Sequence, residues 1–311
     1  MQEILKVSSI KKTFFKDGES NTVINDVSFT VKKGQCVGIV GESGCGKSTT
    51  VRVILGLLNF DEGEIILSGN KLSPQNKIRL KEIQGKIQMV FQMPTESFNP
   101  RIKLGKSIKE AMKKILTSEE KEVKLKKLFE ECQLSYDLAD RYPKEVSGGQ
   151  CQRAAIARAL ASDPQLLICD EATSALDVSV QGQIINLLSD IKEKTKTSFL
   201  FIAHDLALVQ NFCDKIYVMY EGEIVEKGTR DEIINFPAHP YTKLLLSSNF
   251  SIYEDDEYFM EEFDEVEMSE ELTHNSCKFY TRCPFRSEIC KEKETKLKEI
   301  SNGHFTSCHM V

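Results

Sequence analysis

The stretch of this chain with the clearest chemical content is Gly41-Glu42-Ser43-Gly44-Cys45-Gly46-Lys47-Ser48. Its glycines let the backbone turn so tightly that successive N–H groups converge on one point, and the lysine and serine then supply a fixed positive charge and a hydroxyl. That is the make-up of a loop that cradles the phosphates of a nucleotide. Lys47 would neutralise β- and γ-oxygens and Ser48 would ligate Mg²⁺, with Gly41, Ser43, Gly44, Cys45, Gly46 and Thr49 completing the cradle. A turn that only joined a strand to a helix would have no need of Lys-Ser at those positions. Further on, Leu166-Leu167-Ile168-Cys169 is an apolar run that ends in two carboxylates, Asp170 and Glu171. At such a strand end Asp170 is placed to hold Mg²⁺ through water, and Glu171 to polarise an attacking water as general base.

Both groups need a scaffold that delivers them to one edge. Cys36 to Val40 is a short apolar run leading into the glycine loop, and a helix is expected from about Lys47 to Leu58 with Val51, Ile54, Leu55 and Leu58 on one face. Val27, Phe29 and Val31 alternate with Ser28 and Thr30, the period of a half-buried strand. Apolar runs at 87–91, 166–169 and 199–203 alternate with helical segments, which predicts a mostly parallel sheet covered by helices, with ligands at the carboxyl ends of its strands. Between about Pro94 and Leu160 strands give way to Lys-, Glu- and Leu-rich sequence, read as an inserted helical subdomain. A hairpin over Ile216 to Val225, turning at Glu221-Gly222, is expected to close the sheet, and after Pro237 the sequence takes the character of an accessory tail.

Bulk properties narrow the function classes. The 311 residues include 41 Lys plus Arg against 47 Asp plus Glu, a net charge of -6, which offers no nucleic-acid-binding face. Met1 to Ile10 lacks the pattern of a secretory signal, and no apolar run approaches the roughly 18 residues of a spanning helix, so the chain is expected in the cytosol. In that setting ten cysteines read as thiols or metal ligands rather than a disulfide framework. Six are scattered, whereas Cys277, Cys283, Cys290 and Cys308 lie together near the C-terminus.

Ser147-Gly148-Gly149-Gln150, followed by Gln152-Arg153, resembles the signature motif of ABC ATPases, with Val146 where the motif more often begins with Leu. Gln92 resembles the Q-loop of that family, Ser174-Ala175-Leu176-Asp177 its D-loop and His204 its switch histidine, and the pattern covers about residues 4–230. The resemblance implies an α/β phosphate-loop NTPase core with a mostly parallel sheet, an antiparallel N-terminal subdomain and the helical insertion at about 94–160. The cassette would span 1–235 and a small C-terminal extension 236–311. It also implies that Gln92 joins Ser48 and Asp170 around Mg²⁺, and that Gln92, Glu171 and His204 form the hydrolytic group. Phe14, or Phe15, would stack on adenine. Ser147, Gly148, Gly149 and Gln150, with Asp177, would serve at an interface between two such domains that sandwich two ATP molecules head to tail.

The string Phe236-Pro237-Ala238-His239-Pro240-Tyr241-Thr242-Lys243-Leu244-Leu245 is similar to the segment that follows the cassette in oligopeptide, dipeptide and nickel importer ATPases. Gly44-Cys45-Gly46, Val90-Phe91-Gln92, Phe98-Asn99-Pro100-Arg101 and Ser174 to Gln181 look most like the second, F-type, of the two paralogous ATPases in such importers. An ATP-hydrolysing subunit that energises oligopeptide or dipeptide uptake is thereby implied, with nickel import as the alternative and a soluble ABC ATPase acting on ribosomes or DNA as the reading from another class. The implied partners are the paralogous ATPase in a heterodimer, two integral permease subunits and, indirectly, an extracellular or periplasmic binding protein, all organised at the cytoplasmic face of the membrane, with no nucleic acid. The acidic run 254–271 reads as a solvated insertion. The four tail cysteines fall within 32 residues without a Cys-x-x-Cys pair, a spacing that leaves an iron–sulfur cluster, tetrahedral zinc assisted by His304 or His309, and four reduced thiols all open. Cys277 to Pro284, then Cys290 and Ser307-Cys308-His309, are similar to the cysteine-bearing tail of peptide-importer ATPases, where a 4Fe–4S cluster is associated with the family.

Overall fold

Two sheets carry the structure, a computed structural model that describes residues 2–16, 18–172, 176–247 and 276–311. The acidic run 254–271 and the D-loop residues Ser174 and Ala175 lie outside these. The smaller sheet is antiparallel and is built from β1 (Glu3–Lys16), β2 (Glu19–Lys32), β4 (Glu62–Leu67) and β5 (Asn70–Lys71) in the order β2-β1-β4-β5. Registers such as Val7↔Phe29 and Val7↔Ile65 place the alternating apolar residues of three strands on one face, where Leu5, Val7, Val27, Phe29 and Val31 are buried.

The larger sheet comprises β3 (Cys36–Val40), β6 (Ile87–Val90), β7 (Leu166–Asp170), β8 (Ser198–Ala203), β9 (Lys215–Tyr220), β10 (Glu223–Thr229), β11 (Lys298–Ser301) and β12 (His304–Thr306). Its order is β11-β12-β10-β9-β3-β8-β7-β6, and the five strands from β9 to β6 are parallel. β3 and β8 are buried at every position because both faces are covered, which is why they read as unbroken apolar runs and not as alternation. Val37, Ile39, Ile168, Leu200 and Ile202 pack toward the antiparallel sheet and α1 (Lys47–Ile54), whereas Cys36, Val40, Cys169, Phe199 and Phe201 face the core shared with the helices.

The remaining helices among the described residues are α2 (Asn76–Ile83), α3 (Pro94–Ser97), α4 (Leu104–Ala111), α5 (Ser118–Glu131), α6 (Gly148–Leu160), α7 (Val178–Thr195), α8 (Leu206–Val209), α9 (Arg230–Asn235), α10 (Pro240–Ser247) and α11 (Glu288–Glu292). Residues 94–160 hold α3 to α6 and two short 3₁₀ turns, with no strand.

Two expectations are corrected. α1 stops at Ile54 and does not reach Leu58: Gly56 takes a left-handed φ of 68°, and a Cβ there would stand 3.1 Å from the Asn76 carbonyl oxygen, so the chain turns sharply under α2. Leu55 and Leu58 still pack on the core, from the turn. The hairpin β9–β10 forms around Glu221-Gly222 but does not close the sheet, because β12 pairs with β10 through Glu226↔Thr306 and β11 follows outside it. The tail therefore covers an edge that would otherwise expose unpaired backbone groups.

A wholly buried carboxylate fastens that tail. Glu226 accepts the Ala238 N–H at 2.8 Å and the His239 N–H at 2.9 Å, and His304 Nε2 lies 2.7 Å from its Oε1. Burial of such a group is tolerated only with this many partners. His239 is itself buried, and its Nδ1 accepts the Tyr241 N–H at 3.1 Å, which requires the neutral ring. Burial pushes its pKa down to about 4. Because the folded value lies below that of a free histidine, the contribution is complete above about pH 6.5 and is lost as the pH falls toward 4, about 3 kcal/mol in all. Thermal melting across that window should fall steeply for the native chain and less steeply for His239→Gln; equal slopes would remove His239 as the acid-sensitive group.

Candidate active site

Parallel strands leave the sheet at one edge, and the loops after β3, β6, β7 and β8 deliver the phosphate loop, Gln92, Asp170–Glu171 and His204 to it. Gly46 caps α1 with φ 111°, and a Cβ there would lie 2.7 Å from the Val23 carbonyl oxygen, so no other residue fits this turn without strain. The first N–H groups of α1 have no carbonyl partner within the helix and face the loop. Lys47, only 4% exposed, arcs back over the loop, its Nζ donating to the carbonyl oxygens of Gly41 at 2.6 Å and Glu42 at 2.8 Å. A recess at this point is lined by Ser43, Gly44, Gly46, Lys47, Ser48, Thr49 and Glu171, and Cys45 is buried beside it with its Sγ 3.7 Å from Lys47 Nζ.

Ser48 Oγ and Asp170 Oδ1 face each other at 3.5 Å. Burial, and then the adjacent Glu171 charge, push the Asp170 carboxyl up, against the pull of Arg52 and Lys47. A hydroxyl and a crowded carboxylate with surplus negative charge are hard oxygen donors, and the set fits Mg²⁺. Gln92 donates from Nε2 to Glu171 Oε2 at 3.0 Å, which ties the β6 loop to the end of β7. Glu171 has φ 45°, a left-handed backbone rare for a side chain of this kind and costing about 1–3 kcal/mol. Its N–H is nevertheless fixed, to the Ile202 carbonyl at 3.0 Å. The fold thus holds the carboxylate at the recess at some energetic cost.

His204 follows β8 and is exposed, and Asp205 caps α8 by accepting the Ala207 N–H at 2.6 Å. Ser147 caps α6 in a reciprocal box, its Oγ accepting the Gln150 N–H at 3.3 Å and its own N–H donating to Gln150 Oε1 at 3.0 Å. Ser147, Gly148 and Gln150 are exposed at that helix end, and none of Ser147 to Gln150 lines the recess. Asp177 is the exposed cap residue of α7. Phe14 is 38% and Phe15 81% exposed on β1, with Lys12 Nζ 5.4 Å from the Phe14 ring, so neither ring belongs to the core and neither lines the recess. The structure therefore gathers Lys47, Ser48, Gln92, Asp170 and Glu171 and leaves the helix end at Ser147 outward.

Contacts from the tail reach this site in a way the sequence gives no sign of. Tyr241 Oη accepts the Glu42 N–H at 2.7 Å, and Arg282 grips the Glu42 carboxylate. The partners are 199 and 240 positions apart, so no local pattern links them.

All four tail cysteines are buried as free thiols, and Cys277, Cys283 and Cys290 share a core with Phe279 and Tyr280. Burial pushes Cys283 up to about 12, and burial likewise raises Cys277 and Cys308, with the neighbouring thiols of the group adding to each. Among the described residues no three His, Cys, Asp or Glu side chains are grouped to hold a metal ion. Of the two histidines considered for a zinc site, His304 places Nε2 2.7 Å from Glu226 Oε1, and His309 places Nε2 2.9 Å from the Lys293 carbonyl oxygen.

Residues 24–174 match the family model described as ABC transporter, and residues 225–290 match the oligopeptide/dipeptide transporter, C-terminal region. Across 320 aligned residues the chain is 40% identical to the oligopeptide transport ATP-binding protein OppF of Haemophilus influenzae, covering 98% of this chain and 94% of that protein. It is likewise 40% identical to the oligopeptide transport ATP-binding protein AppF of Bacillus subtilis, covering 99% and 98%. Among solved structures, a dimeric ATP-binding cassette in a post-hydrolysis state with ADP and Pi is similar with a TM-score of 0.65 and 27% identity, over 73% of this chain and 99% of that one. The cbiO1 protein of Clostridium perfringens, part of the ABC transporter complex cbiONQ, is similar in fold, with a TM-score of 0.69 and 23% identity over 84% and 100%.

Proposed function

The chain belongs to the ATP-binding proteins of ABC transporters that carry an oligopeptide/dipeptide C-terminal region, and from that membership we propose that it hydrolyses ATP to energise the uptake of oligopeptides or dipeptides. The observation that carries this reading is the meeting of Lys47, Ser48, Gln92, Asp170 and Glu171 at the carboxyl edge of the parallel strands. Lys47 exchanges its loop carbonyls for phosphate oxygens. Ser48, Gln92 and Asp170 would hold Mg²⁺, which would supply charge neutralisation to the phosphates. Glu171 takes a proton from the attacking water, and His204 contacts the γ-phosphate from the end of β8. Phe14 stacks on the adenine.

The outward helix end at Ser147–Gln150, with its N–H donors and positive dipole end, serves the nucleotide of a partner, with Asp177 at the same interface. The proposed partner is a paralogous ATPase in a heterodimer. Two integral permease subunits receive the motion at the cytoplasmic face, and a substrate-binding protein acts on the far side. Among the described residues no helix is long and apolar enough to cross a membrane, so attachment through the permeases is the consistent arrangement. The printed names of the relatives favour peptide over nickel, and the matched C-terminal region favours an importer over an ATPase of ribosomes or DNA.

Steady-state phosphate release tests the pairing. The isolated chain should hydrolyse ATP at least about tenfold more slowly than the same chain with its paralogue and permeases, because half of each closed site is missing. Full turnover by a preparation shown to be monomeric by sedimentation would overturn it.

For the tail, we propose that the four buried thiols, three of which (Cys277, Cys283 and Cys290) share one core, act together as soft donors. The proposed occupant is a 4Fe–4S cluster, in which each thiolate would bind a separate iron. The ligands would be Cys277, Cys283, Cys290 and Cys308, and the cluster's part would be structural. Anaerobic purification should then yield about four irons and four sulfides per chain. Stoichiometric zinc, or no metal, would refute it.

A further inference from the structure

Glu42 occupies a position in the phosphate loop whose side chain is not needed to cradle phosphates, yet it is the most heavily constrained residue of that loop. Its N–H donates to Tyr241 Oη at 2.7 Å, its carbonyl oxygen accepts from Lys47 Nζ at 2.8 Å, and its two carboxylate oxygens receive Arg282 Nη1 and Nη2 at 2.7 Å each. The guanidinium is held in turn. Its centre lies 5.6 Å from the Phe279 ring and 5.8 Å from that of Tyr220, and Tyr220, Tyr241 and Phe279 pack on one another with centroids 4.6–5.5 Å apart. Arg282 also ends a 3₁₀ turn, Tyr280–Arg282, which runs directly into buried Cys283.

The Glu42 and Arg282 side chains remain 41% and 34% exposed, so their pairing adds little to global stability. What a bidentate fork on an aromatic bed provides is orientation. The fork also lowers the pKa of the Glu42 carboxyl, so the ion pair is kept further into the acid range than an unpaired glutamate would be charged.

We propose that the C-terminal extension is a positioning device for the phosphate loop, in which Arg282 and Tyr241 fix Glu42 and thereby set the Glu42 carbonyl and Lys47 for the incoming nucleotide. The idea rests on reading that loop as the nucleotide site. Neither residue lines the recess; both act through Glu42, so disturbing them should move ATP affinity and KM while leaving kcat of the assembled transporter within about twofold.

The test is equilibrium binding of a fluorescent ATP analogue to the full chain, with a double-substitution cycle. Arg282→Ala should weaken binding about five- to tenfold, Arg282→Lys should recover part of the loss, and in a Glu42→Ala background Arg282→Ala should change affinity less than twofold, since its route of action is gone. Tyr241→Phe keeps the ring stack, removes only the hydroxyl, and should weaken binding about two- to fourfold; it decides the matter if Arg282→Ala melts early. Unchanged affinity in Arg282→Ala and Tyr241→Phe, or equal losses from Arg282→Ala with and without Glu42, would overturn the proposal. Lys47→Ala in the same assay separates the two readings: if it alone weakens binding, the nucleotide site stands and the positioning role falls. If it has no effect, the site reading itself fails.

Discussion

Glu171→Gln is expected to bind ATP within about twofold of the native chain and to lose at least about 100-fold in turnover, because general-base assistance is worth about 10²–10⁴. The amide has the shape of the acid and keeps a carbonyl oxygen to accept from Gln92, so the 3.0 Å link between the loops after β6 and β7 survives. What it loses is the capacity to take a proton. The substitution also removes the like charge that helps push the Asp170 carboxyl up, which should favour, not hinder, Mg²⁺ and nucleotide in the ground state. The expected product is a closed, ATP-loaded pair, read as tight nucleotide retention with almost no phosphate release. The backbone is not the cause of such a loss, since the left-handed φ of 45° and the N–H bond to Ile202 do not depend on the ionisable group. Turnover near that of the native assembly would take Glu171 out of the catalytic role.

What could be read from sequence follows from how local each feature is. β3 and β8 are legible because strands buried on both faces have only apolar residues to offer, and the glycine loop between β3 and α1 is legible because its chemistry is written in consecutive positions. The end of α1 is hidden in the sequence because Leu55 and Leu58 keep the helical apolar period after the helix has ended. Gly56 turns the chain, and those leucines reach the core from the turn. Phe14 and Phe15 are exposed because β1 carries them past the covered face of its sheet, which hydrophobicity alone does not reveal.

The tail was the least legible part, and for one reason. Its contacts join residues far apart in the chain. Glu226 directly follows the expected hairpin and nothing local marks it, yet it is fully buried, because Ala238, His239 and His304 all converge on its carboxylate. Arg282 and Tyr241 reach Glu42 across most of the chain. The cysteine spacing suggests a group of four, but not that Cys277, Cys283 and Cys290 join Phe279 and Tyr280 in the helix-side core. An extension read as accessory is thus packed into the cassette and touches its phosphate loop.

Lys47→Ala should show its effect at the binding step, unlike Glu171→Gln. The ammonium is nearly inaccessible and bridges the Gly41 and Glu42 carbonyl oxygens, so the loop presents one compact positive charge to the β- and γ-phosphates. Without it the Gly41 and Glu42 oxygens lose the Nζ donor they share, the Glu42 oxygen keeping the Cys45 N–H at 3.4 Å, and they meet the phosphate oxygens with like partial charge. Losing one charge-assisted contact costs about 1.5–3 kcal/mol, or roughly 10- to 100-fold in affinity for ATP. The fold should not share the damage: alanine is the best helix former, the α1 cap at Gly46 is a backbone feature, and deleting a buried charge relieves its desolvation. Melting within a few degrees of the native chain, alongside a 10- to 100-fold weaker ATP titration, is therefore the expected pair of results. An unchanged titration by a well-folded Lys47→Ala chain would mean that the loop does not hold phosphate through this lysine.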